Sequence, residues 1–497
     1  MSEACDLGAA EARALIGAHK LSPLELVDSC IARIEAVDHA VNAVVARDFE
    51  RAREAARRAE QAVMSGVDLP LLHGLPFAVK DLEATAGLRT TWGSVIYREH
   101  VPERDMGMVA RLRAAGGIVL GKTNTPEFGA GANTRNAVYG ATGNPFDPVK
   151  SAAGSSGGSA VALATGMVPL ATGSDTYGSL RNPAAFCGIV GFRPSAGLVP
   201  NELRPLGWSN LGVLGPMART VPDLCLFLSA MVSDDAADPL AATIHGRKVR
   251  TADEFFPVRP VDLRTVRAAF TPDFGFAPTE RHIADVFAEK TGLFRHLFAQ
   301  AEDATPDCTG ADEAAAIVRA VAFLAAHLER VRSRPNDVGP NVRADVEAGL
   351  GYSAADVARA EVMRTQMYRR WQRFFAEHDV VVTPSITISP RPWSELYPTE
   401  IDGVSTKTYF HWLAMAYAVT LVGHPAVSLP VGFDRSGMPF GLQIVGPRGG
   451  DAYVLGVAAA LEAELAGDPR TARPVPDIAR LAVAPPISAM PNFLGFG

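Results

Sequence analysis

The sequence predicts an α/β protein: a mixed, mostly parallel β-sheet core covered by α-helices on both faces. Three observations predict it. From Leu75 onward, short apolar runs alternate with small-residue or amphipathic runs, as in a sheet whose strands are joined by covering helices. A chain of 497 residues, 48% hydrophobic and 20% charged, has ample material for a large core. A late group of apolar runs, "DVVVTPS", "PAVSLPVGF" and "PFGLQIVGP", supplies further strands of the same sheet.

The elements follow in chain order. Residues 22–37, "SPLELVDSCIARIEAV", form the first clear helix. Ser22 can cap it, Pro23 suits its first position, Glu25 closes a capping box, and Leu26, Cys30, Ile34 and Val37 share one face. An Ala/Arg/Glu-rich helix follows over 49–64. "LPFAVKD" is a strand ending in a charge, "MVARLRAAGG" a helix with a glycine stop, and "GIVLGKT" a buried strand. "SAVALATGMVPLATGSD" gives a small-residue helix, a turn and another strand. Residues 236–375 are expected to be mostly helical and carry few motifs; the last helix lies near 452–465, before a Pro-rich tail. One domain over 1–497 is expected, divided into a helical layer (1–70), a core (71–235), a variable helical region (236–375), late strands and helix (376–470) and a tail (471–497).

Composition excludes several classes. The net charge of −7 opposes non-specific binding to nucleic acid or an anionic membrane, so neither is an expected partner. Five scattered cysteines without C-x-x-C spacing read as reduced thiols. The acidic N-terminus has no long apolar stretch, and the most apolar window, "WLAMAYAVTLVG", is too short to span a bilayer. A cytoplasmic protein is expected.

Some motifs fail on context. "GGIVLGKT", 116–123, spells G-x-x-x-x-G-K-[ST], but a helix precedes it and its middle is strand-like, so Lys122 reads as structural. The histidines show no metal-binding spacing. "GSSGG" fits G-x-S-x-G with Ser156 at the elbow, and His378, His411 or His424 could follow in the order an α/β-hydrolase esterase needs. That elbow requires a preceding strand, whereas "NPFDPVKSAA" reads as a loop.

Taken with its surroundings, the same loop says more. Residues 151–200, "SAAGSSGGSAVALATGMVPLATGSDTYGSLRNPAAFCGIVGFRPSAGLVP", strongly resemble the amidase signature family. "HGLPFAVKD", "ARLRAAGGIVLGKTNTPEF", "GNPFDP", "TPS" and "HPAVSLPVGF…GMPFGLQIVG" extend the resemblance over most of the chain. It implies the amidase-signature fold and a Ser–cis-Ser–Lys triad: Lys80, Ser155 joined to Gly154 by a cis peptide, and Ser179 as nucleophile. It also implies an oxyanion hole of N–H groups at Thr176, Tyr177, Gly178 and Ser179, and a pocket drawing on Gly129, Ala130, Gly131 and Tyr177. Asp175 and Arg181 would brace the turn, and Ser156 and Ser174 would bond around Lys80.

The chemistry suits these roles. A serine hydroxyl needs a base, and a lysine serves only when neutral. Lys80 closes an apolar strand, where desolvation disfavours the ammonium. Singly, Lys80 reads as a strand-end lysine beside Asp81 and the serines as turn residues; their joint context raises the functional reading. Two positions depart from the family pattern: Tyr177 and Ala153 stand where glycine is usual. The resemblance implies no metal and no cofactor, and a small-molecule amide or carbamate as the partner, with a homodimer left open. The expected activity is cleavage of small amides through an acyl-enzyme, extending to esters, anilides or carbamates. The alternative is the glutamine-hydrolysing subunit of a tRNA-dependent amidotransferase, which shares the signature.

Overall fold

The computed structural model describes residues 3–241, 243–244, 247–248 and 250–496. Its centre is an eleven-stranded sheet. In spatial order the strands are Val44–Arg47, Ile118–Thr123, Pro76–Lys80, Leu170–Asp175, Val213–Ala218, Val190–Arg193, Ala426–Phe433, Pro439–Val445, Val380–Pro384, Arg267–Phe270 and Gln300–Asp303. Every residue of Pro76–Lys80, Ile118–Thr123 and Val213–Ala218 is buried. Successive strand residues point to opposite faces, so helices must cover both.

The sheet is mixed. Parallel pairs lie towards its two flanks. Between Leu170–Asp175 and Val380–Pro384 the strands run antiparallel, so the centre departs from the mostly parallel expectation. The cause is connection type: Val190–Arg193 reaches Val213–Ala218 without a crossover helix, and Ala426–Phe433 turns back directly into Pro439–Val445.

The first long helix is Pro23–Val41, and Ser22 accepts from the N–H groups of Leu24 and Glu25. The capping box expected from Glu25 does not form; Glu25 is exposed, and the Ser22 hydroxyl donates to Glu60 at 2.5 Å instead. Phe49–Met64 is helical as expected. The 236–375 region contributes the helices Arg281–Gly292, Ala311–Ser333, Pro340–Gly351 and Ala354–Glu377, but also two strands of the main sheet that its sequence does not announce. The Asp451–Leu465 helix is followed by one more short helix, Ile478–Ala482, against Pro23–Val41. The apolar window at 412 is a buried 3-10 turn leading into the buried helix Ala414–Val422. Among the described residues no helix is long and apolar enough to cross a membrane. All five cysteines are free and buried.

Candidate active site

Lys80 ends the buried strand Pro76–Lys80, and its N–H donates to Thr172 Oγ1 on the next strand at 2.9 Å. Its side chain is wholly buried. Nζ lies 2.8 Å from Ser155 Oγ, 2.8 Å from Ser156 Oγ and 3.0 Å from Ser174 Oγ, the ring of serines the sequence anticipates. Burial pushes the Lys80 pKa down to about 7, against the opposing pull of the Glu83 and Asp175 charges. A neutral amine has two N–H donors and one lone pair, so two hydroxyls accept from it and one donates to it. Ser156 has a carbonyl to donate to, Ser174 O at 3.5 Å. The Ser155 and Ser174 hydroxyls have no second partner among the described residues, which leaves the proton of either for the lysine lone pair.

Ser155 and Ser156 sit in the loop ahead of the helix Gly157–Ala164. The Gly154–Ser155 peptide is cis. Thr134 pins the loop, its N–H and Oγ1 both donating to the Ala153 carbonyl at 3.1 and 2.7 Å. Ala153 adopts φ +56°, the left-handed region that favours glycine. No strand precedes Gly154, so there is no nucleophile elbow at Ser156. The three histidines named for an esterase bond elsewhere: His378 to Glu302, His411 to the Lys407 N–H, and His424 to the Gly446 carbonyl and Gln372. The esterase alternative falls on both counts.

The second loop, 175–181, carries Ser179. The Ser179 carbonyl accepts from the Ser156 N–H at 3.3 Å, tying the two loops together. Ser179 is partly exposed and lines a cavity of about 580 Å³, which Ser155 also reaches. Asp175 and Arg181 do brace the turn. The buried Asp175 carboxylate accepts from Arg181 Nη2 at 2.9 Å, Arg193 Nη1 at 3.2 Å and the N–H groups of Gly178 and Leu180 at 2.9 and 3.2 Å. Burial alone would raise its pKa; Arg181, Arg193 and the Gly178 N–H hold it far below the usual carboxylate range.

That brace corrects one expectation. The Gly178 N–H belongs to Asp175 and is not free to meet an oxyanion. The N–H groups of Thr176, Tyr177 and Ser179 donate to no protein acceptor among the described residues, and these remain available. Gly178 is required for another reason: at φ +91° a Cβ would lie 2.5 Å from the Ala416 Cβ.

Tyr177, the departure two residues before Ser179, needs no glycine angle, since its φ is not positive. Its hydroxyl donates to the Ala315 carbonyl of the Ala311–Ser333 helix at 2.7 Å, and its ring packs on Phe410 and Tyr417. Tyr177 thus lines the cavity while anchoring the Ser179 loop to the variable region. The same helix supplies Arg319, Phe323, His327 and Arg330 to the wall. Gly129 and Gly131 line the cavity as expected, but Ala130 does not. Positive φ at Phe128, Gly129 and Gly131 turns the chain so that Ala130 packs on Val338 and Val342.

Sequence reasoning passed over one group near Lys80. Glu83 is buried and accepts a hydrogen bond from the Thr172 hydroxyl. Its signal was an acid three residues after the lysine in an apolar segment. Lys122 donates to the Glu83 carbonyl and to Thr85 Oγ1 at 2.9 Å, a structural lysine as read. No His, Cys, Asp and Glu group that could hold a metal is found among the described residues; His245 lies outside them.

Comparison with known proteins identifies the family. The Amidase family model matches residues 25–455. An acylamidase from Rhodococcus erythropolis is 35% identical over 463 residues, covering 92% of this chain and 95% of that protein. A glutamyl-tRNA(Gln) amidotransferase subunit from Thermus thermophilus is 35% identical over 475 residues, covering 91% and 96%. The crystal structure of a bacterial aryl acylamidase of the amidase signature family superposes with a TM-score of 0.84 at 28% identity, over 92% of this chain and 96% of that one. The chain therefore belongs to the amidase signature family, enzymes that hydrolyse carbon–nitrogen bonds.

Proposed function

We propose that this protein is an acylamidase: Ser179 attacks an amide carbonyl, Ser155 relays its proton to neutral Lys80, and an acyl-enzyme forms. Ser155 then returns the proton to the departing amine, and water releases the acid. The observation that carries this reading is the buried Lys80 amine among three serine hydroxyls at the floor of a cavity reached by Ser179. The free N–H groups of Thr176, Tyr177 and Ser179 are the candidate oxyanion donors, a large contribution in acyl transfer.

The cavity wall supports an aryl amine as leaving group, in anilides and N-aryl carbamates. Trp92, Tyr97, His100, Phe128, Phe323 and His327 line it with aromatic rings. Burial, with help from Arg330 and Arg319, pulls the His327 pKa down to about 3, so this ring is uncharged at neutral pH. The wall borders the relay serine: a Cβ on Gly129, next to Phe128, would lie 3.3 Å from Ser155 Oγ. The group that collects the relay's proton therefore departs along the aromatic face.

The amidotransferase reading keeps its place because relatives so named reach 35% identity. One assay separates the two. The chain purified alone is offered acetanilide, an O-alkyl N-phenyl carbamate, an aliphatic amide and L-glutamine. Turnover of the two aryl substrates ahead of the aliphatic amide and glutamine is expected. Glutamine hydrolysis alone would favour the amidotransferase reading.

A further inference from the structure

The relay of Ser179, Ser155 and Lys80 makes no use of Glu83, yet Glu83 is bonded to the main chain of the lysine. The Lys80 N–H donates to Thr172 Oγ1, and the Thr172 hydroxyl donates onward to Glu83 Oε2. The Glu83 N–H closes the loop on the Lys80 carbonyl at 3.1 Å. Glu83 Oε1 is buried without a hydrogen-bond partner among the described residues. A buried carboxyl with an idle oxygen calls for a reason.

We propose that Glu83 is the counter-ion of the ammonium formed on Lys80 when Ser179 attacks, a positioning residue that acts through the lysine. The proposal rests on Lys80 being the base. In that step the Ser179 oxygen bonds to the carbonyl carbon, and the carbonyl π pair moves to its oxygen. The Ser179 proton passes to Ser155, whose own proton goes to the Lys80 lone pair. Glu83 stays unprotonated throughout. On collapse the ammonium returns the proton through Ser155 to the leaving nitrogen.

The surrounding charges single out Glu83. Four ionisable groups are buried together at the cavity: Lys80 and Asp81 at the end of one strand, Glu83 just beyond and lining the cavity, and Lys122 on the neighbouring strand. Asp175, at the end of the Leu170–Asp175 strand, is already matched by Arg181 and Arg193. Asp81 accepts from the Thr91 N–H and hydroxyl; burial pushes its carboxyl up to about 6, with Lys122 and Thr91 pulling the other way. With both carboxyls ionised and Lys122 charged, the four balance only when Lys80 carries a proton. A buried charge without a partner is costly, so this arrangement favours the state with the ammonium over the resting one. Burial pushes the Glu83 carboxyl up, while the Thr172 bond, Lys122 and Lys80 pull it back.

The test compares the pH dependence of kcat/KM for the native enzyme and Glu83→Gln on one anilide. Glutamine can still accept from Thr172 but carries no charge. The acid limb is expected to move to lower pH by about one unit, because removing a nearby negative charge makes the ammonium easier to deprotonate. Above the limb, kcat is expected to fall about tenfold, one pKa unit of lost ammonium stabilisation, with KM changed by less than about twofold. Glu83→Asp, which restores the charge, should return the limb towards its native position. A purely structural Glu83 would leave the limb where it was; an unmoved or raised limb overturns the proposal. The rate at which a sulfonyl fluoride modifies Ser179 must move with pH in the same way. If Glu83→Gln does not fold, Glu83→Met is the second uncharged variant and is read identically. Lys80→Met separates the two levels: its activity would sink the relay itself, whereas an inactive Lys80→Met with an unmoved Glu83→Gln limb sinks only the role of Glu83.

Discussion

Lys80 and Lys122 lie on neighbouring parallel strands, Val79 paired with Lys122 and Lys80 with Thr123. Both side chains are wholly buried, and burial pulls both pKa values down, to about 7 and about 8. Their partners differ. Lys80 meets three hydroxyls, which can give or take a proton. Lys122 meets a carbonyl, which only accepts, and the Thr85 hydroxyl, whose own proton goes to that same carbonyl at 3.1 Å. A lysine whose neighbours only accept is held as an ammonium strut; one whose neighbours can donate can act as a base. Desolvation lowers the pKa in both places, and the hydrogen-bonding character of the neighbours divides the roles.

The contrast can be broken most sharply at the lysines and the nucleophile. Lys80→Met and Ser179→Ala are each expected to lower kcat/KM by about 10⁴-fold or more with the circular dichroism spectrum unchanged. Substantial turnover by either would remove that residue from the relay. Lys122→Met should act on stability instead. It strips the cation from buried Asp81 and the donor from the Glu83 carbonyl, so denaturant melts should show a loss of about 3–5 kcal/mol. Its kcat/KM, per folded molecule, should persist, with the acid limb moved to higher pH, because Lys80 then faces the buried carboxylates without the second cation. The native limb follows from Lys80: the amine is neutral only above its lowered pKa, so activity rises with pH through about 7, where half the amine is deprotonated, and levels off about one unit above. Loss of turnover per folded molecule in Lys122→Met would give Lys122 a part in the chemistry. The smallest effect is expected at Ala153. Its φ of +56° suits glycine, and Ala153→Gly should stabilise by about 0.5–1 kcal/mol in the same melts. A loss of stability would show that the Ala153 methyl packs for more than the strained angle loses.

Much of this was legible in the sequence. The buried strands Pro76–Lys80 and Ile118–Thr123 read as apolar runs, and the ring of serines around Lys80 followed from "VKD", "GSSGG" and "ATGSD" together. The strands Arg267–Phe270 and Gln300–Asp303 did not show, because "RAAF" and "QAED" are four residues each and the second is largely exposed at the sheet edge. The Gly178 N–H looked free because its partner is a rotamer choice of Asp175, three residues back. Ala130 was misplaced because the turns at Phe128, Gly129 and Gly131 depend on tertiary packing. Tyr177 was read as a wall of the pocket; that it also ties the nucleophile loop to Ala315 depends on a helix 138 residues away in sequence.

Everything above turns on which serine is acylated, and that can be read directly. The enzyme is mixed with an activated aryl ester, quenched in acid during turnover, digested and mapped by mass spectrometry. An acyl group on Ser179, lost in Ser179→Ala and slow to form in Lys80→Met, is the predicted result. An acyl group on Ser155 or Ser156, or one that forms on Ser179 at an undiminished rate without Lys80, would contradict it.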